Sequence, residues 1–346
     1  MYENHINFIE WAKGYDTSID GRCRKVHEEW LNNMPCPLSR LDGTKPINEL
    51  VERIKTFVYH EIYNGGREIV TKTGWERDNR THFDEIEVNY DKTRWDYPAE
   101  LFSDAIDYSG HGNGKRAIEI GAGTGKATTP FLDAGYAVTA VEMGANMSEF
   151  LSDKFEGYTN FNVITSTFED AHLEDNNYDL VYAASAFHWI DAEAGCPKVF
   201  RLLKNGGAFV LFRNNVYRQE GNNLDAAIDA AYEKHYYSHY KRYDRSIGIS
   251  KMTYDDFIKP EEIHRGFRFN SLKQYGFNDI TMKLYNGSRI YGADEYISLM
   301  DTMSDHRAIP EKDRLALYKG IKNAILSHGG QFEIEFIFQL YMGRKP

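Results

Sequence analysis

Cysteine is scarce in this chain of 346 residues: Cys23, Cys36 and Cys196 are the whole supply, widely spaced and without a C-x-x-C pair. Neither a disulfide framework nor a cysteine zinc site can be assembled from them, so free thiols in a reducing compartment are expected. Proline is also sparse at 9 residues, and no low-complexity tract or internal repeat is present, which excludes a proline-rich or solenoid chain. Positive charge is short. Lysine and arginine total 41 against 52 acidic residues, a net charge of −11, and no basic run could neutralise a phosphate backbone, so nucleic acid is excluded as a partner. Long apolar runs are missing too. Stretches such as LVYAASAF at 180–187 fall far below the roughly 18 residues of a membrane span, and the start MYENHINFIEWAK lacks a cationic, then apolar leader. A soluble, cytoplasmic protein with no membrane partner is expected. His235 and His239 stand four apart, but no carboxylate at matching spacing completes a ligand set, so no metal site is expected.

What the chain does have is apolar and aromatic mass: 42% hydrophobic residues and 14% aromatic ones, enough for a sizeable core and for an aromatic pocket. Residues 1–78 carry two helical stripes, Ile19-Cys23-Val26-Trp30-Met34 and Ile47-Leu50-Val51-Ile54-Phe57-Val58-Ile62, and read as a helical extension. From about residue 115 the texture becomes short apolar runs separated by helical patterns, the mark of strand–helix–strand units. The runs are Arg116–Ile120, Ala137–Val141, Asn162–Ser166, Tyr178–Ser185 and Gly207–Phe212. Residues 217–264, with Leu224, Ile228, Ala231 and His235 on one stripe and a polar, tyrosine-rich YYSHYKRYDR, read as an inserted helical cap with a solvated face. ITMKLY at 280–285 and FEIEFIFQLY at 332–341 then supply two closing strands. The core is therefore 79–216 with 265–346.

The decisive stretch is RAIEIGAGTGKATTPFLDAGYAVTAVE at 116–142. An apolar strand runs into Gly121, Gly123 and Gly125 and a helix follows, an arrangement needed where backbone turns tightly and comes close to a ligand. The next strand ends at Glu142, where a carboxylate can accept both hydroxyls of a ribose. Dinucleotide folds use G-x-G-x-x-G; here the third glycine comes one residue early, and Glu119 before the loop would repel a pyrophosphate. An acid there suits a cationic ligand end, such as the amino group of a methionine moiety.

With those features in order, the chain resembles the class I S-adenosylmethionine-dependent methyltransferases over about 80–216 and 265–346. FDEIEVNYDKTRWDYPAELF at 83–102, TFEDAHLEDNNYDLVYAASAFHWID at 167–191, RLLKNGGAFVLF at 201–212 and SRIYGADEYISLMDTMSDHRAIP are similar to the small-molecule branch that includes trans-aconitate methyltransferase-like proteins. The resemblance implies an α/β fold: a seven-stranded, mostly parallel Rossmann-like sheet with helices on both faces. It implies S-adenosyl-L-methionine as cofactor. Gly121, Ala122 and Gly123 would approach the methionine part beside Glu119, and Glu142 would hold the ribose. Met143 and Met147 would pack by the adenine, with Thr167, Phe168 and Glu169 as candidates for its polar edge. Tyr90, Arg94 and Ser185 would complete the cofactor site, the guanidinium on the carboxylate.

His188-Trp189 follows the fourth strand, where such folds place ligands. His188 is a candidate base and Trp189 a candidate wall of the transfer cavity; the alternative is simple packing under the following helix. Methyl transfer from a sulfonium can proceed by positioning alone, so no base is required. Arg213, Arg289 and His306 are candidate pocket residues, and an arginine among them could clamp a carboxylic acid acceptor. The expected activity is methyl transfer to oxygen, nitrogen or carbon of a small molecule. A dehydrogenase, a cofactor-binding regulatory protein without turnover and a protein methyltransferase stand as alternatives.

Overall fold

The structure is a computed structural model. It describes residues 91–217, 223–240 and 269–346, with Val51, Lys72, Glu76, Asp78, Asn79, Thr81 and His82 as isolated positions. The chain divides into two units, 1–71 and 72–346. The helical extension expected at 1–78 and most of the cap beyond residue 240 therefore lie outside the described residues.

The second unit begins with helix α1 (Ala99–Ser109), followed by β1 (Arg116–Ile120), α2 (Thr128–Asp133), β2 (Ala137–Glu142), α3 (Ala145–Lys154) and β3 (Phe161–Thr165). Next come β4 (Tyr178–Ala184), a 3-10 turn (Phe187–Trp189), α4 (Ala192–Leu202) and β5 (Leu203–Tyr217). Helix α5 (Asn223–His235), β6 (Asn278–Gly292), α6 (Ala293–Met300), α7 (Ser304–Arg307), α8 (Glu311–Ser327) and β7 (Gln331–Arg344) complete it.

The seven strands form one sheet in the order β3-β2-β1-β4-β5-β7-β6. Strands β1 to β5 are mutually parallel, and β7 inserts antiparallel between β5 and β6. The expected fold class is the observed one. Central strands such as DLVYAA in β4 are apolar almost throughout because both faces are covered. One face holds Phe102, Phe131, Tyr182 and Phe212; the other holds Ile118, Val181, Val199 and Phe209. Successive side chains alternate between the two layers, so Ala117 lies in the first and Ile118 in the second. The chain lays β2 and β3 on one side of β1 and β4 and β5 on the other. The order thus reverses between β1 and β4, which opens a crevice at their carboxyl ends.

Two expectations are corrected. Strands β5 and β6 run well past the apolar runs Gly207–Phe212 and 280–285, because β7 pairs with both along their length, from Ala208↔Arg344 to Tyr217↔Glu335 and from Asn278↔Arg344 to Gly292↔Gln331. Polar stretches such as RNNVY read as loop in isolation, and cross-strand pairing makes them strand. Among the described residues of the tyrosine-rich segment, Tyr236 and Tyr240 do not lie on a solvated face. Tyr232, Tyr236 and Tyr240 are buried. Tyr240 donates to the Asp305 carbonyl at 2.8 Å, Tyr236 donates to the Asp305 carboxylate, and Tyr232 meets His306 Nε2 at 3.2 Å. A phenol has an apolar body and one polar tip, so it can enter a core wherever the tip finds a partner.

Candidate active site

The crevice between β1 and β4 is floored by the glycine loop. Gly121, Gly123 and Gly125 have φ of 62°, 55° and 77°, a region that side chains with a Cβ rarely adopt. A Cβ on Gly121 would come within 2.7 Å of the Ala186 Cβ, so the loop abuts the end of β4. Gly123 differs: a Cβ there would meet nothing within 4 Å, which leaves its backbone open for a ligand. Gly125 owes its identity to packing, because a Cβ would lie 2.4 Å from the Phe155 ring.

Glu142 ends β2 beside this loop and is only 7% exposed. One carboxylate oxygen accepts the Gly123 N–H at 2.9 Å and the other accepts the Gly144 N–H at 3.1 Å. Each oxygen has more than one lone pair, so the carboxylate can bind the loop and still accept hydroxyls. Glu119, 1% exposed, accepts from Thr128 Oγ1 at 2.6 Å and from the Tyr182 hydroxyl at 2.9 Å, both on Oε2. Its Oε1 is buried with no hydrogen-bond partner among the described residues. Burial, aided by the like charge of Glu142, pushes the Glu119 carboxyl up to about 7 against its two hydrogen bonds. A buried carboxylate oxygen without a donor is unfavourable until a cationic or donor group arrives.

The other residues expected at the cofactor have the following surroundings. Ala122 and Met147 are buried, the latter in the first turns of α3, and Met143 is half-buried. Thr167 turns inward on its own segment, donating to Asp170 Oδ2 at 2.7 Å and accepting the Asp170 N–H. Phe168 is buried under the Lys198 ammonium, 5.1 Å from its ring, and the Glu169 carbonyl accepts from the same ammonium at 3.0 Å. Arg94 donates through Nε and Nη2 to the hydroxyl and carbonyl of Thr302, both at 2.8 Å. Tyr90 lies outside the described residues.

At the end of β4, Ser185 has φ 53°, unusual for a residue with a side chain. Its hydroxyl lies 2.7 Å from the Tyr97 hydroxyl and 3.5 Å from Asn214 Oδ1. His188 and Trp189 form the turn that follows, with ring centroids 5.1 Å apart and the indole buried. Burial, and then the charge of Arg213 on β5, pull the His188 imidazole down to about 3. Arg213 is thus near enough to His188 for its charge to be felt there. The structure does not bring Arg289 or His306 to them. Arg289 lies on the edge strand β6, paired with Glu295 at 2.5 Å and stacked on Tyr291. His306 is buried against Tyr232, Tyr236 and Tyr318.

Sequence reasoning missed Tyr97, Asn214, Thr128 and Tyr182, whose roles depend on contacts between distant segments. It also missed two lysines that pin residues 91–96 to the loop: Lys126 on Asp96 at 2.7 Å, and Lys154 on both Asp91 at 3.2 Å and the Thr124 carbonyl at 2.7 Å. Among the described residues, no cluster of three or more histidine, cysteine or acidic side chains could hold a metal.

Residues 118–211, from β1 into β5, match a family described as a methyltransferase domain. An uncharacterized methyltransferase of Mycobacterium tuberculosis is 33% identical over 138 residues, 40% of this chain and 54% of that protein. The chain thus spans about half the length of the mycobacterial relatives it matches. A Dictyostelium discoideum protein named as a methyltransferase is 26% identical over 267 residues, 75% of this chain and 92% of its own. Among solved structures, one described as a type II methyltransferase from Anaeromyxobacter dehalogenans aligns with a TM-score of 0.47 and 17% identity, over 72% of this chain and 97% of that one. The class defined by the matched segment is that of methyltransferase domains.

Proposed function

We propose that the chain is an S-adenosylmethionine-dependent methyltransferase whose acceptor is a small molecule bearing a carboxylate. The observation that carries the cofactor is the Glu142 carboxylate, bound to the Gly123 N–H at the switch point of a segment that matches a methyltransferase domain. The residues fit the group. Gly123 leaves open space, Glu142 keeps accepting capacity for ribose hydroxyls, and Glu119 Oε1 is a buried acceptor suited to an ammonium. When bound, the cofactor supplies a methyl group on a sulfonium that is already a good leaving group. The task left to the chain's own residues is to hold the acceptor in line and keep water out.

The reading of the acceptor class is supported by His188, Trp189 and Arg213. An imidazole held at about 3 is neutral at physiological pH but a weak proton acceptor, so His188 is poorly suited to activate a hydroxyl or an ammonium. A carboxylate needs no such help, being ionised already. Burial and then the positive field of Arg213 depress His188; that field also favours an anion, and Trp189 is buried beside it. These features favour carboxylate methylation, in keeping with the resemblance to trans-aconitate methyltransferase-like proteins.

The test has two stages. Calorimetric titration with S-adenosylhomocysteine should give saturable binding at one site per chain. Transfer of a labelled methyl group to a panel of di- and tricarboxylic acids, amines and phenols should then favour the acids, and Arg213→Ala should raise KM for them more than it lowers kcat. Transfer confined to amines or phenols would overturn the acceptor assignment.

A further inference from the structure

We infer that Tyr182 and Thr128 are positioning residues: their hydroxyls hold Glu119 by one carboxylate oxygen, so that the other carries a proton in the free protein and yields it when the cationic end of the cofactor binds. The assignment rests on the S-adenosylmethionine reading above. Thr128 Oγ1 donates to Glu119 Oε2 at 2.6 Å, and the Tyr182 hydroxyl donates to the same oxygen at 2.9 Å. All three side chains are buried. Two donors occupy Oε2, while Oε1 stands buried with no hydrogen-bond partner among the described residues. A proton taken up by this carboxyl therefore goes to Oε1.

The bond from Thr128 ties β1 to the first residue of α2, the two elements that the glycine loop connects. The charges felt at Glu119 are anchored on the same loop. Glu142 on β2, whose carboxylate accepts the Gly123 N–H, disfavours a second negative charge. Lys154 on α3, whose ammonium donates to the Thr124 carbonyl, opposes that effect. Burial outweighs the two hydrogen bonds, and the carboxyl stands at about 7. Tyr182 stays a donor, because burial and then the Glu119 charge hold its phenol well above its usual range. Neither state of Glu119 satisfies Oε1: the carboxylate lacks a donor there and the acid O–H lacks an acceptor. An ammonium resolves only the first, since its N–H groups oppose the O–H of the second. The proton then passes to the buffer, the ammonium keeps its own, and the negative charge stays on Glu119.

Calorimetric titration of the full chain with S-adenosylhomocysteine, in two buffers of different ionisation enthalpy, counts the protons released per ligand bound. At pH 6.5, where the ligand's amino group is an ammonium, the wild-type chain should release about three quarters of a proton, falling to about a quarter at pH 7.5. Glu119→Gln has no such proton to give and should release none. Tyr182→Phe keeps the ring, removes one donor to the carboxylate and should raise its proton affinity about tenfold. It should then release about three quarters of a proton at pH 7.5, and bind about eightfold more weakly than wild type at pH 6.5 but within about twofold at pH 8.5. If Tyr182→Phe does not fold, Thr128→Val removes the other donor and should move both readings the same way. Wild-type binding without proton release would overturn the inference, as would release that persists in Glu119→Gln. An equal loss of affinity at every pH in Tyr182→Phe, with the proton count unmoved, would make Tyr182 a structural residue and overturn its assignment. Wild-type protein that binds no S-adenosylhomocysteine at any pH would overturn the cofactor reading itself, a result distinct from binding without release.

Discussion

At the scale of single residues the two buried glutamates behave in opposite ways, although both stand at strand ends beside one loop. Glu142 has a backbone N–H on each oxygen, so its charge is hydrogen-bonded as it stands. Glu142→Gln exchanges one accepting oxygen for a donor and should weaken S-adenosylhomocysteine binding by about 1–3 kcal/mol, read by calorimetry on the folded variant. Unchanged affinity would remove Glu142 from the ribose. Glu119 is destabilised in its charged form, with its carboxyl up at about 7 from an ordinary 4.5. Between those values the folded chain holds a proton that the unfolded chain has released. Its contribution to stability is therefore full below about 4.5 and is lost as pH rises through about 7. The loss is on the order of 3 kcal/mol at most. Glu119→Gln should flatten this decline, which urea unfolding at pH 5 and pH 8 can measure. Both glutamates are visible in the sequence because they frame a glycine triplet. Thr128 and Tyr182, which set the state of Glu119, carry no such local signal.

At the scale of elements, the pairing of α5 with α8 gives the tyrosine-rich segment its place. Helix α5 crosses α8 closely: a Cβ on Gly320 would lie 2.9 Å from the Ala231 Cβ. Beyond α5, Tyr236 and Tyr240 reach Asp305, His239 meets Asp313 at 3.0 Å, and Tyr318 donates to Asp301 at 3.2 Å. Burial and the Asp305 carboxylate hold the Tyr236 phenol well above its usual range, so it stays a donor. Tyr236→Phe leaves Asp305 without that donor and should cost about 1–3 kcal/mol in urea unfolding. A cost near zero would mean that the segment is loosely attached. The helical stripe of α5 is legible from its spacing, but the fate of the tyrosines is not, since the same amphipathic side chain serves surface and core. Length is similarly ambiguous at β5 and β6, where the apolar run marks only the portion inside the sheet and the overhang exists because β7 lies between them.

At the scale of the whole molecule, the second unit holds every strand among the described residues and both hydrophobic layers of the sheet. Deletion of residues 1–71 should therefore leave a chain that unfolds cooperatively and binds S-adenosylhomocysteine within about threefold of the full chain, by thermal melting and calorimetry. Loss of cooperative unfolding would make the first unit part of the fold. Among the described residues no helix is long and apolar enough to cross a membrane. The α/β class and the places of the five parallel strands were legible in the sequence alone, because alternation and glycine spacing are local in the chain. The contacts around the end of β4 and the segment before α1 were decided only by tertiary structure. Tyr97 and Ser185 are 88 positions apart, and Arg94 and Thr302 are 208 apart. The His188 imidazole is lowered by burial and then by the charge of Arg213 on a neighbouring strand. No local pattern encodes such contacts, since they form only when the sheet brings the carboxyl ends of β1, β4 and β5 together.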